Sequence, residues 1–512
     1  MLGDGGALAL GTKLARLNDY DDLVIGAGMG GLTVAALLAA AGRKVLVVEA
    51  HDKPGGYAHT FDMKDFRFCA QVHYIFNCGE GESIHQLLDA IGVADEVPFV
   101  RLDPEGFDHV VVAGERTRIP NGLGKLRQRL VRRYPEAAEP LRRYFALITT
   151  LGEELASLGD IPARLGVDLL RSAVRCRHVI RHLRWTLEDL YDHVHMPPRL
   201  RTILAGQSGD YLLPPRDVSL LLHTALVCGY DRGAYYPKRH FFHFIETIAS
   251  TITARGGRIL LETEIAKIDV EGSRVVGITT TDGKTLRARR YVSNLDPKVT
   301  LALAGQPQKK AQRYAYSSST FNLFLGIRGI DLRDHGFGSH NVWHWPHDDM
   351  NRTYDDQLIR HDLGDPWLFL STPTLHSDEP GLCPPDQQIL EVATSCDYGR
   401  FARLRNEDRR AYNIEKKRIR ERIETILEER YIPGLRSHIT MRVTGSPTTN
   451  ARYCRAPEGN AYGSALVPEN MHLGRKPLRV LDNLWMINAT AGFPSIAGTV
   501  GAGLRLFEEL RS

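Results

Sequence analysis

The residues best placed for chemistry in this sequence are three glycines, Gly26, Gly28 and Gly31, and one acid, Glu49. Gly26 permits a tight turn, Gly28 lets the backbone approach a pyrophosphate, and Gly31 lets a helix pack closely on a strand. The start of that helix would offer free N–H groups and a positive dipole to phosphate oxygens. Glu49 can accept hydrogen bonds from ribose hydroxyls, which favours an unphosphorylated ribose. The spacing therefore predicts a dinucleotide-binding site. That predicted site also includes Met29, Gly30 and Ala50.

The elements that must position these residues lie in an uncharged stretch, LVIGAGMGGLTVAALLAAAG, from Leu23 to Gly42. A membrane-spanning helix is the alternative interpretation, because about 20 apolar residues cross a bilayer. The clustered glycines would make a poor helix start, however, and no basic flank marks a cytoplasmic side. The next segment, RKVLVVEA, has a second buried-strand pattern and contains Glu49. The stretch is therefore predicted to be a buried strand, a glycine turn and a buried helix.

The composition excludes several classes of protein. Of the 512 residues, 43% are hydrophobic and 25% are charged, with a net charge of +4, which is typical of a globular protein and not of a nucleic-acid binder. The seven cysteines are scattered, without a CxxC pair or a Cys/His cluster at metal spacing. This pattern argues against a disulfide framework and a metal site, and it fits a reducing compartment. Because the N-terminal segment lacks the features of a secretory signal, we expect a cytoplasmic protein.

A second glycine pair, Gly55-Gly56, follows Glu49 in the segment AHDKPGGYAHTF. This segment resembles the extended FAD motif of the amine-oxidase-like flavoprotein superfamily that contains phytoene desaturases, carotenoid isomerases and retinol saturases. The resemblance implies that FAD is the cofactor and that the glycine pair lies along its diphosphate. The continuation, HTFDMKDFRFCAQVHYIF, is similar to the saturase and isomerase branch, which has a comparable HTF and a later HY pair.

The resemblance covers nearly the whole chain. The segment GAYYPKRHFFHFIETIASTITARGGRILLETEIAKI is similar to the family's aromatic-Tyr-Pro-Lys turn, helix, Gly-Gly turn and strand. The segment NLWMINATAGFPSIAGTVGAGLRLFEEL is similar to its closing strand, loop and helix. This likeness implies that the last helix directs its N-terminus at the flavin and ribityl side of FAD, where its free N–H groups would lie. Further cofactor contacts are implied at Ile265, Gly492, Ile496 and Ala497.

The expected fold class is α/β, with two domains. A discontinuous, Rossmann-like FAD-binding domain would be formed by residues 18–80, 245–300 and 475–512. Residues 81–244 and 301–474 would form an α+β substrate-binding domain with a mixed sheet and a helical lid. A second strand–GxGxxG–helix unit does not occur in the sequence, so we do not expect a separate NAD(P)H domain.

Three residues are candidates for catalysis: Arg239, His240 and His73. After the lysine of YYPKRHFFHF the family usually has a glycine pair, and this chain has Arg239 and His240. These two would place a cation or an acid–base imidazole beside the substrate, or they would cap and solvate a helix start. His73, which precedes Tyr74 in the HY pair, would face the cavity or be a hydrogen-bonded histidine of the core. Phe493 would lie near the flavin, line the tunnel or pack in the core.

Residues 161–204 form a basic segment in which arginines alternate with aliphatic residues and a tryptophan. A basic helix with an apolar side would lie at an anionic membrane surface, held by its apolar face and its charges. The alternative is a helical lid whose arginines form a solvated face. Because polyene substrates reside in membranes, the family resemblance favours reversible contact with the cytoplasmic face of the membrane.

We therefore expect an FAD-dependent oxidoreductase that desaturates, saturates or isomerises carbon–carbon double bonds of a polyisoprenoid, carotenoid or retinoid-like lipid. Hydride would be exchanged between the substrate and flavin N5 while the protein holds the chain in a dry tunnel. The first alternative is an amine-oxidase-like flavoenzyme on a secondary metabolite, which an aromatic cage near the flavin would favour. The second alternative is a non-catalytic, FAD-bound protein that binds a lipid or a partner.

Overall fold

A computed structural model describes residues 20–158, 175–307, 315–470, 478–490 and 494–511. Its strands are Tyr20–Ile25, Val45–Val48, Thr60–Met63, Phe66–Cys69, Phe99–Arg101, Asp108–Val112, Glu115–Ile119, Tyr235–Pro237, Arg258–Leu260, Ile265–Glu271, Arg274–Thr280, Thr285–Leu286, Ala288–Ser293, Ser319–Arg328, Asn341–Trp345, Leu368–Ser371, Gln387–Cys396, Ile439–Gly445, Leu478–Leu481 and Leu484–Met486. Its α-helices are Met29–Ala40, Ser83–Ala90, Leu123–Arg133, Ala138–Leu158, Arg177–Arg181, Leu187–His193, Pro198–Leu204, Leu220–Arg232, His240–Ala254, Pro297–Leu303, Met350–Leu358, Pro373–His376, Tyr398–Glu407, Arg409–Arg430, Leu435–His438, Pro447–Tyr453 and Ile496–Arg511.

The first sheet has six strands and carries the predicted dinucleotide site. Its strand order is Leu478–Leu481, Leu484–Met486, Ala288–Ser293, Tyr20–Ile25, Val45–Val48 and Arg258–Leu260. All neighbouring strands are parallel except the pair at the C-terminal edge. Adjacent parallel strands place their carboxyl ends at one edge of the sheet, where open α/β sheets bind ligands. The strands come from residues in all three segments predicted for the FAD-binding domain, whose limits remain a prediction.

Both faces of the first sheet are covered. On one face, Leu23 and Ile25 pack against the antiparallel sheet of strands Ile265–Glu271, Arg274–Thr280 and Thr285–Leu286. On the other face, Val24 and Val47 pack against helices. This burial on both faces explains why the strands read as continuous apolar runs.

Helix Met29–Ala40 is surrounded by protein. It contacts helices His240–Ala254 and Ile496–Arg511, and its residues from Met29 to Ala39 are all buried. A helix that is apolar on every side is expected in such a position. The uncharged stretch is therefore a strand and a buried helix, as predicted. Within the part of the chain that the structure describes, no helix has the length and apolarity needed to cross a bilayer.

The second sheet has seven strands and is mixed. Its strand order is Ile439–Gly445, Ser319–Arg328, Gln387–Cys396, Leu368–Ser371, Asn341–Trp345, Asp108–Val112 and Glu115–Ile119. Only the pair Asn341–Trp345 and Asp108–Val112 is parallel within this sheet. One face is covered by helix Arg409–Arg430, through Ile419 and Ile423. The other face turns Trp343, Phe369 and Ala393 toward a cavity.

A layer of helices lies beside the second sheet. Helices Ala138–Leu158 and Leu220–Arg232 pack on each other, and helix Pro198–Leu204 packs on strand Asp108–Val112. The predicted fold class, a Rossmann-like unit joined to a mixed sheet with a helical layer, is confirmed. Of the predicted membrane-facing helices, residues 161–174 lie outside the described residues, and the remainder forms three short helices between Arg177 and Leu204.

Candidate functional site

The first glycine turn joins strand Tyr20–Ile25 to helix Met29–Ala40. A Cβ atom at Gly31 would lie 2.2 Å from the carbonyl oxygen of Gly26, so only glycine allows the helix to approach the strand this closely. Gly28 precedes the helix and provides no side-chain cap. The first N–H groups of a helix have no partner within it, so they remain for phosphate oxygens at this turn.

The second glycine pair is bonded to the first turn. The N–H of Gly55 donates to the carbonyl oxygen of Ala27 at 2.8 Å, and Gly28 and Gly55 form an isolated β-bridge. Gly56 has φ of +58°, and a Cβ there would lie 3.1 Å from Cα of Gly28. The two turns therefore form one backbone surface, here called the cradle, whose glycines let a diphosphate approach the main chain closely.

Asn294 completes the cradle from a distant part of the chain. It follows strand Ala288–Ser293, and its N–H donates to the carbonyl oxygen of Ile25 at 2.8 Å. A Cβ at Gly28 would lie 2.6 Å from Asn294 Nδ2, and one at Gly30 would lie 2.9 Å from its Oδ1. Asn294 could not be recognised from the sequence, because its position depends on a strand pairing across more than 260 positions.

Glu49 lies at the end of strand Val45–Val48 and is fixed by backbone donors. Its Oε2 accepts a hydrogen bond from the N–H of Ala27 at 2.6 Å, and its Oε1 accepts one from the N–H of His51 at 2.9 Å. Each carboxylate oxygen has further lone pairs, so the group can still accept bonds from ribose hydroxyls. The carboxylate therefore supplies the acceptors that the hydroxyls of an unphosphorylated ribose need.

A cavity of about 490 Å³ contains the cradle and Glu49. The predicted cofactor residues that line it are Gly26, Gly28, Met29, Gly30, Glu49, Ala50, Gly55, Gly56, Ile265, Ile496 and Ala497. Gly31 lies behind the lining, and Gly492 lies outside the described residues. The backbone cradle, the acid and the start of the last helix fit FAD, which supplies a hydride donor or acceptor when bound. The contact of each residue with FAD remains a prediction.

The same cavity extends from the cradle between the second sheet and the helical layer. Its lining there is mostly aromatic, and the rings are contributed by Tyr74, Phe76, Tyr230, Trp343, Trp367, Phe369 and Tyr462. Tyr74 stacks on Tyr230 with the ring centroids 4.7 Å apart, and the ring centroids of Phe369 and Trp343 are 4.5 Å apart. The region is therefore suited to a flat, apolar or conjugated ligand.

His73 is the one predicted catalytic residue that the structure places in the cavity lining. Its Nδ1 is hydrogen-bonded to Oε2 of Glu391 at 2.7 Å, and its ring lies 5.0 Å from that of Phe369. Glu391 is 1% exposed, and its Oε1 has no hydrogen-bond partner among the described residues. The pair places an imidazole and a buried acid beside the aromatic lining. Glu391 was not predicted, because nothing in its local sequence indicates its partner.

A second acidic group surrounds the hydroxyl of Tyr74. The hydroxyl oxygen of Tyr74 lies 2.9 Å from Oδ2 of Asp210 and 3.0 Å from Oδ2 of Asp108. Asp108 also accepts bonds from Gln207 at 2.6 Å and from Asn341 at 3.2 Å. Burial raises the pKa of Asp210 to about 7, and burial, with the charge of Asp210, raises the pKa of Asp108 well above its usual range. Asp210 lines the cavity, whereas Asp108 lies behind it.

Arg239 and His240 do not line the cavity. His240 is 3% exposed, has φ of +68°, and packs its ring against Tyr236 and Phe241. Burial lowers its pKa to about 3. Arg239 is exposed, with Nε 3.6 Å from Glu379. The structure therefore does not bring these two residues to the expected flavin pocket.

Two further expectations concern groups near the cavity. Phe493, which the sequence placed near the flavin, in the tunnel or in the core, lies outside the described residues. The described ranges contain no group of three or more His, Cys, Asp or Glu residues arranged to hold a metal ion.

Comparisons with known proteins identify the group to which the chain belongs. Residues 29–368 match the family model described as flavin containing amine oxidoreductase. The chain is 25% identical to an all-trans-retinol 13,14-reductase of Danio rerio, with 87% of this chain and 78% of the relative covered. It is 23% identical to prolycopene isomerase 1, chloroplastic, of an Oncidium hybrid cultivar, with 90% and 77% covered. It is 24% identical to a lycopene-forming phytoene desaturase of Pantoea ananas, with 95% and 98% covered.

Solved structures show the same fold. An oxidoreductase from Methanosarcina mazei superposes with a TM-score of 0.65 at 17% identity, with 96% of this chain and 100% of that chain covered. Wild-type putrescine oxidase bound to putrescine superposes with a TM-score of 0.61 at 15% identity, with 96% and 99% covered.

The family match covers most of the chain and includes the start of the helix after the first glycine turn, the second glycine pair and most of the cavity lining. The predictions of an oxidoreductase and of FAD as its cofactor are therefore confirmed. The chain belongs to the flavin containing amine oxidoreductase family and is an FAD-dependent oxidoreductase.

Proposed function

We propose that this oxidoreductase acts on carbon–carbon double bonds of a polyisoprenoid, carotenoid or retinoid-like lipid, by saturation, desaturation or cis–trans isomerisation. The observation that carries the proposal is the continuity of the cavity, which runs from the glycine cradle to a wall of aromatic rings. Three similar proteins support the same substrate class by their names: a retinol reductase, a prolycopene isomerase and a phytoene desaturase.

The residues of this chain have distinct roles in the proposal. The cradle and Glu49 hold the cofactor, and the start of helix Ile496–Arg511 faces it through Ile496 and Ala497. The aromatic wall holds the substrate and excludes water, which strengthens electrostatic interactions at the reacting atoms. His73 is the proposed catalytic imidazole. Glu391 bonds one of its ring nitrogens and so leaves the other for a ligand in the cavity.

We also propose that the substrate enters from the cytoplasmic face of an anionic membrane. Helix Arg177–Arg181 and its flanks expose Arg175, Arg177, Arg181 and Arg184. Ile180 lies among them and is 49% exposed. Exposed arginines around an apolar side chain favour reversible binding at a lipid surface, where anionic headgroups attract each cation.

The test is product analysis with the purified, FAD-loaded protein. All-trans-retinol, prolycopene and phytoene are each incubated anaerobically with the oxidised protein and with the chemically reduced protein. We expect at least one of them to be saturated, desaturated or isomerised, as resolved by chromatography and mass spectrometry. Unchanged polyenes in all incubations, together with an unchanged flavin spectrum, would contradict the proposal and leave an FAD-bound binding protein.

An amine substrate is the second candidate, because Asp210 lies among aromatic rings, an arrangement that also suits an organic cation. The raised pKa of Asp210, about 7, weakens this candidate, since below that pH the carboxyl is mostly neutral and does not attract a cation. Anaerobic addition of putrescine distinguishes the two proposals. We expect the flavin to stay oxidised with putrescine, and bleaching of the flavin by the amine would favour the second candidate.

A further inference from the structure

We propose that Asp210 is the proton donor to the substrate, and that it shares one proton with Asp108 through the hydroxyl of Tyr74. This inference rests on the proposed function, since it names the group that completes addition to a carbon–carbon double bond. It assigns a different task to Asp210 from that of His73, whose Nδ1 is bonded to Glu391.

The number of hydrogen atoms needed for the contacts of Tyr74 with the two carboxyl groups supports a shared proton. Tyr74 lies within hydrogen-bond distance of both carboxyl groups, at 2.9 Å from Asp210 and 3.0 Å from Asp108. A phenol has one hydrogen to donate, and an ionised carboxyl has none. Two bonds among these three oxygens therefore need a second hydrogen. If one carboxyl is protonated, it donates to the phenol oxygen while the phenol donates to the other carboxyl.

The two carboxyl groups differ in their access to the cavity. Asp108 is fully buried and accepts bonds from Gln207 and Asn341 as well as from Tyr74. These bonds lower the pKa of Asp108, but burial and the charge of Asp210 outweigh them and raise that pKa well above its usual range. Asp210 is the acid of this pair that lines the cavity, and Tyr74 connects it to the proton held at Asp108. Besides Tyr74 and Asp108, the titratable groups near Asp210 are His73, Tyr230, Tyr211, Tyr354 and Tyr462.

An independent observation indicates that a ligand covers this part of the wall. Trp343 is 2% exposed and lines the cavity, and its Nε1 has no hydrogen-bond partner among the described residues. Its ring presses on the backbone next to Asp210, because a Cβ at Gly209 would lie 2.3 Å from the Trp343 ring. Buried donors are nearly always satisfied. The unpartnered N–H beside Asp210 therefore marks a surface for a ligand that offers an acceptor, either a hydroxyl oxygen or the π face of a double bond.

The step is a balanced addition to a double bond. The O–H bond of Asp210 breaks, and the π electrons of the substrate form a C–H bond to that proton at one carbon. When bound and reduced by an external two-electron donor of the nicotinamide or dithionite class, FAD would supply the hydride for the neighbouring carbon. Asp210 is left as a carboxylate beside Tyr74 and regains a proton from water. A neutral acid in a dry pocket is a suitable donor for this reaction.

Infrared spectroscopy of the FAD-loaded protein without substrate tests the shared proton. We expect a C=O band of a neutral carboxylic acid at pH 6, which shifts in D₂O and changes in both Asp210→Asn and Asp108→Asn, because the two carboxyl groups share the proton. The exposed Asp334 provides the matched control, since Asp334→Asn removes an acid outside the cavity and should keep the band. Absence of the band from the wild type, or an unchanged band in Asp210→Asn or in Asp108→Asn, would overturn the proposal.

Saturation of all-trans-retinol by the dithionite-reduced protein in D₂O tests the delivery of the proton. We expect two deuterium atoms from solvent in the product, because dithionite supplies only electrons and the transferable hydrogen of reduced FAD also comes from D₂O. We also expect a loss of about 100-fold in kcat for Asp210→Asn with FAD retention unchanged. Tyr74→Phe, which keeps the stacked ring, is expected to lower kcat by a smaller factor and guards against a folding defect in the first variant. A kcat within twofold of the wild type for Asp210→Asn would overturn the proposal. If wild-type protein leaves the polyenes unchanged while the band behaves as expected, the proposed function fails and the shared proton is retained.

Discussion

Nδ1 of His73 lies 2.7 Å from Oε2 of Glu391, although 318 positions separate the two residues. Glu391→Gln keeps the shape of the buried side chain and removes its charge, so the imidazole loses the acceptor that orients it. We expect kcat on a turned-over polyene to fall about 100-fold, with little change in KM. Glu379→Gln is the control, because Glu379 lies outside the cavity beside Arg239. Equal kcat values for Glu391→Gln and the wild type would remove this pair from the mechanism.

Replacement of Glu49 tests the adenosine end of the cofactor site. Glu49→Ala removes the acceptor for ribose hydroxyls and leaves the N–H groups of Ala27 and His51 without their partner. A loss of about 1–3 kcal/mol in binding is expected, or roughly 5- to 150-fold in Kd for FAD. Fluorescence of FAD released on dilution measures it, with the exposed Glu271→Gln as the control. Retention equal to that of the wild type would exclude a ribose role for Glu49.

Gly31 is expected to be essential for the first turn. In Gly31→Ala the new methyl would lie 2.2 Å from the carbonyl oxygen of Gly26, so the helix must move away from the strand. We expect a lower midpoint of thermal unfolding and loss of bound FAD. Gly124→Ala is the matched control, since no atom lies within 4 Å of its Cβ in helix Leu123–Arg133. There we expect stabilisation by about 0.5–1 kcal/mol, because alanine is the better helix former.

Vesicle flotation tests the membrane surface. The wild type is expected to float with phosphatidylserine vesicles at low salt and to be released at high salt, since exposed charges are screened. The double variant Arg177→Glu and Arg181→Glu should stay at the bottom of the gradient. A control with the same charge change, Lys267→Glu and Lys284→Glu, alters exposed lysines on the small three-stranded sheet and should float normally. Flotation of both double variants alike would exclude helix Arg177–Arg181 as the contact.

The pKa of Asp210 predicts how stability depends on pH. Burial raises this pKa to about 7 in the folded protein, whereas an aspartate in the unfolded chain has a pKa of about 3.9. Between these values the folded state binds the extra proton, so the contribution of Asp210 to the free energy of unfolding decreases as pH rises from about 4 to 7. Urea unfolding at pH 5 and pH 7.5 should show a smaller decrease in Asp210→Asn than in the wild type. An identical decrease would contradict the assigned pKa direction.

The dinucleotide site could be anticipated from sequence because its main parts are local. Gly26, Gly31 and Glu49 lie on one continuous strand, helix and strand, and glycine spacing reports directly on backbone geometry. The position of Gly55 against Gly28 also depends on a short loop. Short-range patterns of this kind follow from the steric properties of the individual residue types, which can be read directly from the sequence.

The far end of the cavity could not be anticipated in the same way. Its walls depend on the register of the second sheet, in which Trp343 lies opposite Phe369 and Phe369 lies opposite Ala393. Asp210 comes from a short 3₁₀ turn whose neighbours are distant in sequence. The position of His240 likewise depends on its folded surroundings. The residue departs from the family pattern, yet its left-handed backbone turns the ring onto Tyr236 and away from the cavity.

Asn294 has a consequence for biosynthesis. An emerging chain that ends before residue 294 already contains both glycine turns and Glu49, but it lacks the side chain that lies against Gly28 and Gly30. The cavity wall formed by Ser495, Ile496 and Thr499 is made later still. FAD capture therefore follows synthesis of nearly the whole chain, so truncated or stalled products should stay colourless while the finished protein becomes yellow.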